Sequence, residues 1–354
     1  TGETFNLVGT SIRDRKLNDI TLEGVSIAVN SSTATLLLTR KDGTKYYFDA
    51  DGLCLKKEDR FGNAVYYTYS SSGESARLTE IRDSFGRKIV IDYSYDASSV
   101  TITASDGTRV VISVDGENQD YIKLSSIDYG AGEVYSFSYS HLYGKANIAN
   151  ADETFEGEIG YVLLENITHP SGDGTVIGYT SESTNFGGTG TKEYYFVKST
   201  KDVIGGADKN SVSYGRTGNS YDASYHDSLS EYYRQQYEIG NYSFQVRVAT
   251  EAGTAVFAFN EKCLCTYYSS GYMVEEKQYN DYNLVSKKAV KDYGSATDSK
   301  ALCVISSETY GYDIKGNMTS YTAPDGNTMS CTYDSRYSLL TSKTYKQNAG
   351  VTVT

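Results

Sequence analysis

A turn-and-strand unit recurs about every twenty residues, and this spacing constrains the fold more than any other feature of the sequence. The first copy reads Lys41-Asp42-Gly43-Thr44-Lys45-Tyr46-Tyr47-Phe48, the second Asp59-Arg60-Phe61-Gly62-Asn63-Ala64-Val65-Tyr66-Tyr67, and the third Asp83-Ser84-Phe85-Gly86-Arg87-Lys88-Ile89-Val90-Ile91. Their glycines, Gly43, Gly62 and Gly86, stand 19 and 24 residues apart. Each copy places a polar turn before a run of β-branched and aromatic residues. Asp-Gly between two such runs is a strong hairpin signal, because glycine accepts positive φ. A unit of two short strands buries little alone and must stack on its neighbours.

Composition supports a chain made mostly of strands. Among 354 residues there are 35 Tyr and 11 Phe but no Trp, and 33 Gly but only 2 Pro. Tyrosine suits a half-covered pleated surface, and scarce proline suits continuous ladders. Net charge is −12, with both signs scattered, so the basic stripe that nucleic acid requires is missing. No apolar run is long enough for a membrane-spanning helix. The five cysteines, Cys54, Cys263, Cys265, Cys303 and Cys331, form no disulfide framework and no zinc pattern. Cys263 and Cys265 read as same-face residues of one strand, and all five read as packing residues. The sequence opens Thr1-Gly2-Glu3 and closes Val351-Thr352-Val353-Thr354 within a strand-like alternation. Both ends read as cuts in a longer protein.

Four stretches follow from the pattern. Residues 1–37 are lead-in strands. Residues 38–140 carry repeats, including Asp106-Gly107 and Tyr129-Gly130. Residues 141–242 hold degenerate repeats with polar insertions: His141 to Gly160, a Ser/Thr/Gly-rich loop from Ser181 to Thr191, a turn-rich stretch from Asp202 to Ser220, and a short helical pattern over Ser228 to Tyr237. Residues 243–354 return to clear repeats, truncated at the end.

The last stretch gives the pattern a family likeness. Tyr312-Asp313-x-x-Gly316-Asn317-Met318 is followed by Asp325-Gly326-Asn327-Thr328 and then Tyr333-Asp334. This resembles the RHS or YD-repeat family, with Asp325-Gly326 at its turn and Tyr333-Asp334 at its Tyr-Asp signature. Earlier copies depart from the signature: Phe48-Asp49 replaces Tyr-Asp, Tyr69 precedes Ser70, and Asp92-Tyr93 is inverted. The likeness covers residues 38–140 and 243–345 well and 160–240 poorly. The resemblance implies a bacterial secreted or cell-surface protein with relatives in insecticidal toxin complexes and teneurins. It also implies an all-β chain of repeated antiparallel hairpins, forming a long curved or spiralling sheet that is part of a hollow shell. Some such shells enclose a C-terminal toxin domain.

Chemistry-bearing residues do not form a recognisable constellation. The three histidines, His141, His169 and His226, fit no triad signature. Asp49-Ala50-Asp51-Gly52 resembles part of a calcium loop but lacks its distal glutamate, so a turn is the better reading. Gly187-Gly188-Thr189-Gly190 lacks the lysine and helix of a phosphate loop. No catalytic, cofactor or metal residue is assigned, and a non-catalytic role is expected. The adjacent tyrosines leave one candidate ligand surface, Tyr194, Tyr232 and Tyr233, because one ring of each pair faces away from the core.

Two functions follow as expectations. The first is a structural segment of a shell whose partners are neighbouring repeats and an enclosed toxin or effector encoded outside this sequence. The second is an adhesin that recognises a glycan or a surface protein through Tyr-rich insertions. A catalytic domain within 141–240 is a third and weaker reading.

Overall fold

The structure is a computed structural model and describes residues 7–8, 11–12, 16–71, 75–116, 122–149, 154–185, 190–218, 243–260, 262–292, 303–346 and 352–353. These residues form an all-β chain in which strands adjacent in sequence pair antiparallel as hairpins. The chain divides into two units, one of Thr1–Val111, Gln278–Lys288 and Ser306–Thr354, the other of Ile112–Lys277 and Ala289–Ile305.

In the first unit, Ile20–Val29, Ser32–Arg40, Lys45–Phe48, Cys54–Glu58, Ala64–Tyr69, Leu78–Asp83, Lys88–Tyr93 and Ser99–Ala104 pair each with the next. Met318–Thr322, Thr328–Tyr333 and Leu340–Lys346 do the same. The turns explain the recurrent glycines. In Asp59–Asn63, the Gly62 N–H donates to the Asp59 carbonyl at 3.1 Å, and the Asp59 N–H donates to the Asn63 carbonyl at 2.9 Å. Gly62 has φ 89°, so the loop is a tight turn closed by one left-handed residue. The same bond pair recurs at Asp49–Leu53, Asp83–Arg87 and Asp313–Asn317.

The packed core of this unit is small. Val29, Ala34, Tyr47 and Leu55 are buried together, with Leu37 and Tyr66 against them. Leu78–Asp83 and Ser99–Ala104 instead hold every residue half-buried. A strand facing a second sheet would bury one alternating set of side chains fully. These segments are therefore a wall one sheet thick.

In the second unit, Lys123–Asp128, Val134–Ala149, Thr154–Thr168, Gly174–Asn185, Gly190–Ile204 and Ala207–Gly218 pair in order, then Ser243–Thr250, Gly253–Asn260 and Cys265–Ser270. Three stretches differ here from their compositional reading. His141 to Ala149 and Thr154 to Gly160 belong to two long strands. The supposed loop from Ser181 to Thr191 belongs largely to Gly174–Asn185 and Gly190–Ile204. The turn-rich stretch from Asp202 is a tight turn at Gly205-Gly206 leading into the strand Ala207–Gly218. The inward positions of the first of these strands include Gly144 and Ala146, while Tyr143, Lys145 and Asn147 are exposed. Residues as small as glycine and alanine leave the period-two signal too faint to read. The helical reading of Ser228 to Tyr237 lies outside the described residues, as does His226.

The cysteine reading also changes. Cys263 is not on a strand: it closes the turn between Gly253–Asn260 and Cys265–Ser270, with φ 57°. It occupies the position that glycine fills in turns such as Asp59–Asn63 and Asp313–Asn317. Cys54, Cys263, Cys265 and Cys331 carry free thiols.

Candidate functional site

The repeat-signature residues divide into two devices, a turn cap and a clasp. The cap is an aspartate that opens the turn, as at Asp59, Asp313 and Asp334, or stands just before its left-handed glycine, as at Asp42, Asp106 and Asp325. Asp313 Oδ1 accepts the N–H groups of Lys315 and Asn317, each at 2.9 Å, and its Oδ2 accepts the Asn317 side-chain amide at 2.9 Å. Asp59 repeats all three bonds with Phe61 and Asn63. Asp42 accepts the Thr44 N–H, and Asp334 accepts those of Arg336 and Tyr337. Asp49, the supposed calcium-loop residue, accepts the N–H groups of Asp51 and Leu53 and is a turn cap as well. Gly43, Gly86, Gly107 and Gly326 all hold positive φ in their turns.

These bonds favour the charged form of the cap. The Asn63 amide beside Asp59 holds its carboxyl below the usual carboxylate range. Backbone N–H groups do the same for Asp106, from Thr108, and for Asp334, from Tyr337.

The clasp is a tyrosine, which ends its strand at Tyr69, Tyr93, Tyr312 and Tyr333 and lies within Gly174–Asn185 at Tyr179. The Tyr333 hydroxyl donates to the Met318 carbonyl at 2.9 Å, from a position 15 residues later. Tyr69 does so to Cys54, Tyr93 to Leu78 and Tyr179 to Leu164, each at the same separation of 15. In each case the acceptor lies on the preceding strand of the ladder. Tyr312 makes the equivalent bond to Val285 at 3.0 Å. Register shifts fall immediately before Tyr69, Tyr179, Tyr312 and Tyr333. A bulge there re-aims the ring along the preceding strand. Tyrosine and aspartate thus act on opposite neighbours: the ring fastens the strand before, and the carboxylate shapes the turn after.

The second unit carries a different arrangement. Its two long hairpins meet at one end through Asn166↔Val176 and at the other through Ala146↔Lys192, Asn147↔Thr191 and Ile148↔Gly190. Around the second seam, the Tyr161 hydroxyl donates to the Glu193 carbonyl at 2.7 Å and the Tyr195 hydroxyl to the Tyr143 carbonyl at 3.1 Å. The Lys145 N–H donates to the Glu193 carboxylate at 3.0 Å. The Ser181 hydroxyl, and then that N–H, hold the Glu193 carboxyl below its ordinary range. A Cβ on Gly144 would lie 2.7 Å from the Glu193 carbonyl oxygen, so the close approach requires glycine.

Tyr194 sits next to this seam, opposite Glu182, with the Lys192 ammonium 4.6 Å above its ring. It is half-buried. Tyr232 and Tyr233 lie outside the described residues. His141 lies 3.3 Å from the Lys123 ammonium, and the His169 ring lies 5.7 Å from that of Tyr135.

An aromatic row elsewhere went unread in the sequence. Tyr310, Tyr321, Met329 and Tyr345 are direct cross-strand partners on four successive strands. The Tyr310 hydroxyl donates to the Glu308 carboxylate. The signal was available: the turn Ala323–Asn327 fixes Tyr321 opposite Met329, and similar counting places the others.

No family model matches this chain, and no curated protein matches it. Among solved structures it is similar to the crystal structure of TcdB2-TccC3-TEV, at 7% identity and a TM-score of 0.31, over 95% of this chain and 20% of that one. It is similar to the Photorhabdus luminescens Tc holotoxin pore carrying the TccC3-D651A mutation, at 10% identity and 0.29, over 89% of this chain and 16% of that one. It is also similar to a porin-like protein from Bacteroides uniformis, at 10% identity and 0.18, over 94% and 97%. The chain spans about a fifth of the length of the first of these. Likeness at these TM-scores assigns neither family nor function. Among the described residues no helix is long and apolar enough to cross a membrane.

Proposed function

We propose that the chain is a non-catalytic wall segment of a bacterial secreted or cell-surface shell, with neighbouring repeats of the same polypeptide as its principal partners. The observation that carries this reading is the recurrent clasp and cap. Both devices spend their polar groups on the chain's own backbone, which fixes strand to strand and leaves few of them for chemistry. Half-buried strands such as Leu78–Asp83 support it, because a wall one sheet thick suits an enclosure better than a packed domain. The Tyr-Asp signature at Tyr312-Asp313 and Tyr333-Asp334 supports the family likeness and, with it, an enclosed toxin or effector outside this sequence.

Protease protection tests the reading. The chain is expressed with its native flanking sequence and treated with protease before and after denaturation. An enclosing wall predicts flanking segments cut only after denaturation. Flanking segments cut at equal rates in the native and denatured states would contradict it.

A further inference from the structure

The row Tyr310, Tyr321, Met329 and Tyr345 forms the floor of a cavity of about 470 Å³, to which Met318 and Lys343 also contribute. The ladder explains why these groups converge. Direct cross-strand partners place their side chains side by side on one face of a sheet. The Tyr310 and Tyr321 rings are 5.4 Å apart and tilted by 44°, so neither covers the face of the other. Two thioethers add soft apolar surface that adapts to an inserted ring. The volume lies within the range of small-molecule sites, which combine an apolar lining with a few placed polar groups.

The charge around the groove is divided: the carboxylates of Glu308 and Asp325 act on Tyr321, and a cation stands at Tyr345. Among the described residues that line it, Lys343 alone is charged, and its ammonium lies 4.9 Å over the Tyr345 ring. The Glu308 carboxylate, on the strand of Tyr310, is engaged by the Tyr310 hydroxyl. The Asn327 side-chain amide already donates to Asp325 Oδ2. A saccharide, with hydroxyls on every side, would find few partners here. A flat apolar ring bearing one anionic group matches both the lining and the charge.

We propose that this groove binds a small aromatic carboxylate, its ring over the tyrosines and methionines and its carboxylate at Lys343. The site is separate from the clasp and cap and does not depend on the wall reading.

The chain contains three methionines, which makes the test direct. Met318 and Met329 line the groove, whereas Met273 is exposed elsewhere, on the strand Met273–Tyr279. The chain is labelled at its methionine methyls and titrated with 2-naphthoate and with neutral 2-naphthamide, followed by NMR. The expected result is saturable shifts at Met318 and Met329 with Met273 unmoved, and tighter binding of the carboxylate. Lys343→Met should weaken 2-naphthoate about fivefold and erase its advantage over the amide, while Lys343→Arg retains it, in line with a single exposed ion pair. Lys343 is exposed, so neither change burdens folding. The proposal fails if neither compound moves Met318 and Met329, if Met273 moves equally, if the amide binds as well as the carboxylate, or if Lys343→Met leaves 2-naphthoate binding unchanged.

Discussion

The ring of Tyr337 occupies the space that a side chain on Gly43 would need. A Cβ on residue 43 would lie 2.6 Å from Tyr337 Cδ1 and 2.9 Å from Arg60 Cβ. Nearby, the Lys41 ammonium donates to the Lys315 carbonyl, and the Asn18 N–H to the Ile314 carbonyl, both at 2.8 Å. The first turn of the repeat array is therefore packed against its last turns within the same unit.

This predicts a graded response to alanine at turn glycines. Gly62→Ala meets nothing within 4 Å and should cost only the left-handed penalty, about 1–2 kcal/mol. Gly43→Ala pays that penalty and adds an overpacking cost of about 1–3 kcal/mol. In a Tyr337→Ala background the additional cost of Gly43→Ala should shrink. Urea denaturation of the three variants and the double variant measures each difference.

Cys263 gives the opposite prediction. It holds φ 57° in a turn position that most of its counterparts fill with glycine. Cys263→Gly should stabilise the chain by about 1 kcal/mol, since the strain of a left-handed cysteine is removed. Asn283 occupies the same turn position at φ 61° and tolerates it better, so Asn283→Gly should change the urea midpoint less.

How much of this was legible depends on the range of the interaction. Asp42-Gly43 and Asp325-Gly326 could be read as turns because a cap and its left-handed residue lie within five residues of each other. The Tyr337 ring on Gly43 could not, because nothing local records it. The strands over 141–149, 154–160 and 181–185 were hidden for a related reason. Their ladder closes through Ala146↔Lys192, and Gly144 and Ala146 present no apolar stripe for the eye to follow. Tyr194 is legible as a ring, and Lys192 two residues before it shares its face, but the Glu182 opposite it is set by the strand register.

The caps predict acid lability. A carboxyl whose folded pKa lies below its unfolded value contributes stability above the unfolded value and loses it as pH falls through the folded one. Asp59, Asp106 and Asp334 are shifted in this direction, and Asp96, held by the Ser94 hydroxyl and the Ser98 N–H, is brought down to about 2. The urea midpoint should therefore hold down to about pH 4 and fall between there and about pH 2. Asp59→Asn should fold, since Asn260 and Asn280 cap their turns with the same two backbone bonds, and it should show a shallower acid fall.

The clasp is tested most directly by removing single hydroxyls. Tyr69→Phe, Tyr93→Phe, Tyr179→Phe and Tyr333→Phe each strand one carbonyl on the preceding strand, while Tyr95→Phe alters a fully exposed ring. The measurement is the urea midpoint of all five variants, with amide hydrogen exchange on the preceding strand. The clasp predicts a loss of about 0.5–1.5 kcal/mol for each of the four, with faster exchange around the stranded carbonyl, and no change for Tyr95→Phe. Four clasp variants indistinguishable from Tyr95→Phe in both stability and exchange would contradict the account.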